Sequence, residues 1–353
     1  MAWRPRWIGC QLELPGELVM TRIESFRLAV RWVGVGCAVA AMGCAGDASR
    51  PLELKFGHVG APGSLFALSA EEFARRANER LGDRAKVVVF GSSQLGGDEI
   101  LLQKLKLGTL DFALPSTVMS STIDEFGLFE MPYLVDDREH MRAIEAEVIW
   151  PILAPLTEPM GYRIIAVWEN GFRHVTNNVR PIVVPADLRG VKLRTPRGVW
   201  RIKLFQAFDA NPTPMPLSEV FIALQTGVMD GQENPFAQIY TMKFQEVQSY
   251  LSLTRHVYTP AYVTVGTTKW QRLPADIRDI LTETARETQA FVHATAERMD
   301  SEVLARLEAT GIEVNEPDMA AFIAASQAIY DEFGATVAGG ADLIATAAAL
   351  ANR

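Results

Sequence analysis

A guanidinium meets a carboxylate with two parallel hydrogen bonds and stays charged when desolvated, so arginines at strand ends are the first residues to weigh for anion chemistry. Arg194 closes the short predicted strand Val191-Lys192-Leu193, and Pro196 stops its continuation. In an α/β protein the carboxyl end of a strand faces the region where such sheets bind ligands. Arg173 lies just past a strand ending at Trp168, and Arg197 follows Arg194 by three residues. Asn234-Pro235 places an asparagine at an N-cap and a proline at the first helical position. As a cap that side chain is used internally; turned outward it would donate to a ligand. His58, in the glycine-rich turn after the first strand, and the aromatics Trp168 and Phe236 complete the candidates. The competing reading makes the arginines structural ion pairs and the aromatics core.

Catalytic signatures are missing. The chain has no GxSxG, HExxH, CxxC or GxxxxGK[ST] motif, and its five histidines show no metal-ligand spacing. Asp230 and Glu233 are close enough for acid/base work but read as a solvated turn. The expectation is a binding protein, not an enzyme, without cofactor or metal.

The elements that must position these residues follow from periodicity. A strand at 52–59, a helix at 65–80, a strand at 86–90, a helix from Asp98 to Leu107 and a strand at 110–114 give a βαβαβ order and a mostly parallel sheet. A helix at 137–156 and a strand at 162–168 come next. Past Arg194, Ser218 is placed to cap a helix at 219–226 that stops at Gly227, and a helix at 236–250 and a strand at 256–266 follow. A helical pattern over 274–309 would reach about 50 Å at 1.5 Å per residue, enough to tie two lobes together. The tail reads as two helices around Gly339-Gly340. One echo joins the halves: Leu105-Lys106-Leu107-Gly108-Thr109-Leu110-Asp111 and Leu224-Gln225-Thr226-Gly227-Val228-Met229-Asp230 share Leu, Gly and Asp at the same spacing. Two lobes built from one unit would face each other across a cleft.

Composition sets the compartment and excludes nucleic acid. After Met20, the expected start, Arg22, Arg27 and Arg31 precede an apolar run over 32–44 and then Ala45-Gly46-Asp47, the layout of an export signal. Ala41-Met42-Gly43-Cys44 fits lipid attachment at Cys44, and ordinary cleavage fits equally. All three cysteines lie in the first 44 residues, so the rest has no thiol chemistry. Beyond residue 44 the chain holds 29 of its 34 basic and 39 of its 42 acidic residues, a net charge of −10 that gives no basic face for nucleic acid.

These pieces, taken in order, also match a family. Leu54-Lys55-Phe56-Gly57, Gly91-Ser92-Ser93-Gln94-Leu95-Gly96, Gly171-Phe172-Arg173, Asp187-Leu188-Arg189-Gly190-Val191-Lys192-Leu193-Arg194, Pro212-Thr213-Pro214-Met215 and Asp230-Gly231-Gln232-Glu233-Asn234-Pro235 resemble the extracytoplasmic solute-binding proteins of TRAP (tripartite ATP-independent periplasmic) transporters. The resemblance covers nearly everything after residue 50. It implies an α/β, two-lobed periplasmic solute-binding fold with a ligand cleft between the lobes and a long helix spanning both. Lobe I would take 52–171 and 260–300, lobe II 172–259 and 301–353, after an export signal at 1–46. It implies a small organic acid as ligand, its carboxylate on Arg194, with Arg173 assisting and Asn234 in the same region, and membrane-embedded permease subunits as partners. The sialic-acid branch has an acid and an arginine where this chain has Ser116 and Met119, and an aromatic where it has Leu217. Arg197 replaces that branch's asparagine, which favours a second anionic or strongly polar ligand group. The rival readings are a sensory protein of the same fold presenting its ligand to a receptor kinase, and an exported hydrolase, for which no nucleophile and base pair is present.

Overall fold

The computed structural model describes residues 51–351, so the expected export segment, with Met20 and Cys44, lies outside the described residues. Eleven strands among them build two sheets. In chain order they are β1 Leu52–Gly57, β2 Ala85–Phe90, β3 Phe112–Ala113, β4 Tyr162–Phe172, β5 His174–Asn177, β6 Lys192–Thr195, β7 Asn211–Pro214, β8 Gly231–Asn234, β9 Tyr250–Ser252, β10 Tyr258–Gly266 and β11 Glu313–Asn315. The first sheet has the order β2-β1-β3-β10-β4 and the second β11-β9-β5-β8-β6-β7. The fold is thus mixed α/β with one sheet in each of two lobes.

The first sheet is not mostly parallel. β1 runs parallel to β2 and β3, but β10 is antiparallel to both β3 and β4. The reason is topological: β10 is not reached by a βα crossover but returns from the other sheet, so it enters from the opposite end. The chain crosses between sheets at Arg173, between β4 and β5, and returns over Leu253–Val257 between β9 and β10. Arg173 N donates to Val257 O at 2.9 Å, which binds the two crossings to each other.

The long helix runs Ala275–Glu308, within one residue of its sequence reading at both ends. It packs on the helix Leu65–Leu81 and on β4 at one side and on the helix Phe236–Thr241 at the other. The echo is structural as well. Gly108 and Gly227 both take φ +71° after their helices. Asp111 Oδ2 then accepts from Lys55 N at 2.9 Å, and Asp230 Oδ2 accepts from Lys192 N at 2.9 Å, so each aspartate caps the lysine amide of the neighbouring strand.

Four local expectations change. Asp230-to-Pro235 is not a turn: Gly231–Asn234 is the strand β8, paired with β5 and β6, and Pro235 rather than Asn234 precedes the helix Phe236–Thr241. That helix is short, because the chain must turn back to supply β9. The helix Leu217–Gln225 starts after Pro216 without a side-chain cap from Ser218. The tail holds three helices, Met319–Ala325, Gln327–Thr336 and Gly340–Ala349.

Close packing at one strand end is testable. A Cβ on Gly266, the last residue of β10, would sit 2.0 Å from Leu105 O, a backbone atom with nowhere to move. Gly266→Ala should therefore cost at least about 1–3 kcal/mol, read as a lower urea midpoint at unchanged slope.

Candidate functional site

The anionic centre of the molecule is Glu233, which has no exposed surface. Its position in β8, opposite Val175 and so two residues past the crossing at Arg173, brings three partners onto one carboxylate. Arg173 Nε reaches Oε2 at 2.5 Å and Nη2 reaches Oε1 at 2.9 Å. Arg201 Nη1, from the helix Val199–Ala207, reaches Oε2 at 2.6 Å, and His256 Nε2 lies 3.0 Å from the same oxygen. Because an ionised carboxylate only accepts, His256 carries its proton on Nε2 and takes the Thr254 hydroxyl at Nδ1, 2.8 Å away. Burial by itself would raise the Glu233 pKa, but Arg173 and Arg201 outweigh it and hold the group well below the usual carboxylate range. Burial lowers His256 to about 4, so it is neutral at pH 7. On its far side Arg201 Nε lies 2.8 Å from Glu130 Oε2. Burial pushes Glu130 up to about 6 against the opposing charge of Arg201.

Two arginines are thus taken. The third is not. Arg194, 3% exposed, donates from Nε and Nη2 to the carbonyl of Met215 at 2.9 and 2.5 Å and forms no ion pair with any described residue. Burial lowers its pKa to about 10, so it remains a cation. It lines a small cavity of about 40 Å³. The cavity lies between the sheets, with Asp98, Thr117 and Asn170 on one side and Arg194, Asn234 and Gln238 on the other. Asp98 opens the helix Asp98–Leu107 and is half-buried, with its Oδ1 sealed from solvent among these groups. Burial, helped by the neighbouring Glu99 charge, pushes its carboxyl up to about 7 against the pull of Arg194.

Arg194, Arg173 and Asn234 therefore share one cavity wall. Asn234 is used internally, giving Oδ1 to Arg173 Nη2 at 3.1 Å and Nδ2 to Gln232 Oε1 at 2.5 Å. The other four candidates are not part of the wall. Trp168 stacks on Phe56 in the first lobe's core and donates its indole N–H to Ala285 O at 2.9 Å. Phe236 stacks on His174 at 4.1 Å. His58 is buried beneath the loop at Gly91. Arg197 is solvent-exposed and pairs with Glu99 across the cleft at 3.3 Å, so the second anionic ligand group expected there has no cation waiting for it. Asp98, Thr117, Gln238, Glu130 and Arg201 were not legible as site residues. Glu233 was misread as solvated, because a strand of Gly, Gln, Glu and Asn carries no apolar signal.

Comparison with known proteins decides the family. The model of the DctP family, bacterial extracellular solute-binding protein family 7, matches residues 56–336. The chain belongs to the DctP family. The sialic acid-binding periplasmic protein SiaP of Vibrio cholerae is 32% identical over 302 residues, covering 85% of this chain and 94% of that protein. The 2,3-diketo-L-gulonate-binding periplasmic protein YiaO of Escherichia coli is 32% identical, with 82% of this chain and 90% of that one covered. Among solved structures, the sugar acid binding protein DctPAm of Advenella mimigardefordensis in complex with galactonate superposes with a TM-score of 0.82 at 30% identity, over 85% of this chain and 99% of that one. A TRAP periplasmic solute binding protein of Sulfurospirillum deleyianum with bound succinate gives 0.81 at 32%, over 85% and 99%. This DctP-family chain is accordingly a periplasmic solute-binding protein of TRAP transport and not an enzyme.

The charge network predicts stability. Glu233→Gln leaves Arg173 and Arg201 buried without their shared anion and should cost about 3–5 kcal/mol, measured by denaturant unfolding. Asp98 has the opposite sign. Its folded pKa of about 7 exceeds the unfolded value, so between about pH 4 and pH 7 the folded chain holds the extra proton and stability falls as pH rises. Unfolding midpoints of the ligand-free protein at about pH 5 and about pH 7 should show Asp98→Asn losing less stability across that window than the parent.

Proposed function

We propose that the chain captures a small organic acid between its lobes, with the ligand carboxylate on Arg194, and delivers it to membrane-embedded TRAP permease subunits. The observation carrying this is the buried Arg194 guanidinium, which lines the cavity and has no carboxylate partner among the described residues. A buried cation without a counter-ion is costly, and a ligand carboxylate removes that cost. Glu233 holds Nε and Nη2 of Arg173, which leaves Nη1 of that residue to assist. Asn234 steadies Arg173 rather than acting alone. The moving bodies in this reading are residues 52–171 with 260–300 and residues 172–259 with 301–353. The ligand bridges them and shifts the population towards the closed form that the permease recognises.

The test is a thermal-shift screen of the exported protein against small organic acids, followed by calorimetry. A ligand that binds only the folded state raises the melting temperature by mass action. Arg194→Ala should weaken the best acid by roughly two to four decades, at about 1.4 kcal/mol per decade, and unchanged affinity would remove Arg194 from the site. Export by the N-terminal segment belongs to the same reading. The intact mass of the periplasmic protein distinguishes a lipidated Cys44 from an ordinary cleaved start.

A further inference from the structure

The cavity has one uncommitted cation and a surplus of acceptors. Asp98 Oδ1, Thr117 Oγ1 and Gln238 Oε1 are buried and find no hydrogen-bond partner, and all three residues line the same cavity as Arg194. Thr117 is 8% exposed and Gln238 4%. Two neighbours on the same cavity are matched: Asn234 to Arg173 and Gln232, and Asn170 Nδ2 to Ser116 Oγ at 3.2 Å. A buried polar atom left unpaired is destabilising, so the Asp98 and Gln238 oxygens are complementary to donors on whatever fills the cavity, and the Thr117 hydroxyl can accept from it or donate to it. The orphans stand on both lobes, Asp98 and Thr117 before the crossing at Arg173 and Gln238 after it. A ligand satisfying them must therefore carry donors along its length.

Resting on the carboxylate reading above, we infer that the ligand is a hydroxylated monocarboxylate, a sugar-acid chain whose single carboxylate takes Arg194 and whose hydroxyls donate to Asp98, Thr117 and Gln238, and that unsubstituted dicarboxylates are excluded. A carbon-bound hydroxyl is the neutral donor that a carboxylate and an amide oxygen accept best. Succinate has no donor to offer. Its second carboxylate would face Asp98, a like charge in a desolvated space, and no uncommitted cation answers it: Arg173 is paired with Glu233 and has only Nη1 left, for the carboxylate already on Arg194, and Arg197 is outside, paired with Glu99. Succinate could bind only with a proton taken up between the two carboxylates, so its affinity would fall as pH rises. A hydroxyl donating to Asp98 requires no such proton.

Calorimetry of the exported protein decides this with matched probes: D-erythronate and D-galactonate, which carry hydroxyls; butanoate and hexanoate, which keep the carboxylate and chain length without them; and succinate. At least one aldonate should bind at least about a hundredfold more tightly than its deoxygenated counterpart and than succinate, since each orphaned acceptor is worth about tenfold or more. Asp98→Ala should weaken the aldonate by about ten- to a hundredfold and leave the unhydroxylated acid unchanged. Asp98→Asn, which keeps an oxygen acceptor and loses the charge, should retain most aldonate affinity and improve succinate. Melting curves of both variants without ligand check folding; neither should melt below the parent, because both remove a buried charge. Succinate or hexanoate binding as tightly as the aldonates would overturn the inference while leaving the carboxylate reading intact. Equal losses for hydroxylated and unhydroxylated acids in Asp98→Ala would also overturn it. Binding of no acid by the parent would remove the carboxylate reading and this inference with it.

Discussion

The site depends on where the negative charge of Glu233 is spent. Three arginines enter the region between the lobes, and each would be a costly buried cation alone. One carboxylate on β8 holds two of them, Arg173 and Arg201, and accepts from neutral His256 as well. The third, Arg194, is held in place by a backbone carbonyl, which orients a guanidinium without neutralising it. The difference between an ion-paired and a carbonyl-held arginine is what the proposed ligand site rests on. Proximity to the cleft alone would not, since Arg173 and Arg194 line the same cavity.

The same carboxylate sits where the chain changes sheets. Arg173 is the single residue between β4 and β5, and its amide is tied to the returning crossing at Val257. The crossing between the sheets and the charge network therefore share atoms. In the proposed reading, a ligand that changes the field at Arg173 acts on the segment about which the lobes would move, which would link binding and closure through one side chain rather than through a distant relay. The long helix Ala275–Glu308 packs against elements of both lobes and limits how far they can separate.

Across the cleft, the helix Asp98–Leu107 presents two adjacent acids to two arginines. Asp98 faces inward with Arg194, and Glu99 meets Arg197 at the exposed rim. The rim pair is solvated and contributes little to stability by itself. The inner acid is desolvated, which raises its pKa to about 7 and leaves an oxygen without a partner. Burying an acid there is unfavourable for the empty protein and gives polarity to the space a ligand must fill.

Much of the scaffold was legible in the chain itself. The helix–glycine–aspartate echo, the long helix and the placement of Arg194 at a strand end follow from local rules: helical period, a left-handed glycine stop, an aspartate capping the next strand. Such signals need only neighbours in sequence. The strand Gly231–Asn234 was not legible, because its four polar residues are buried by pairing with β5 and β6 and not by apolar character. Its Gly231 is required by the close approach of Thr176 O, 2.4 Å from where a Cβ would stand, a constraint visible only once the strands are side by side. What the sequence determined by itself is the family of local units and a set of arginines suited to a carboxylate. Only the tertiary structure decided which arginine is free, because Glu233 meets Arg173 across 60 positions of chain and Arg201 across 32, and the pairing of counter-ions is set by strand register rather than by spacing.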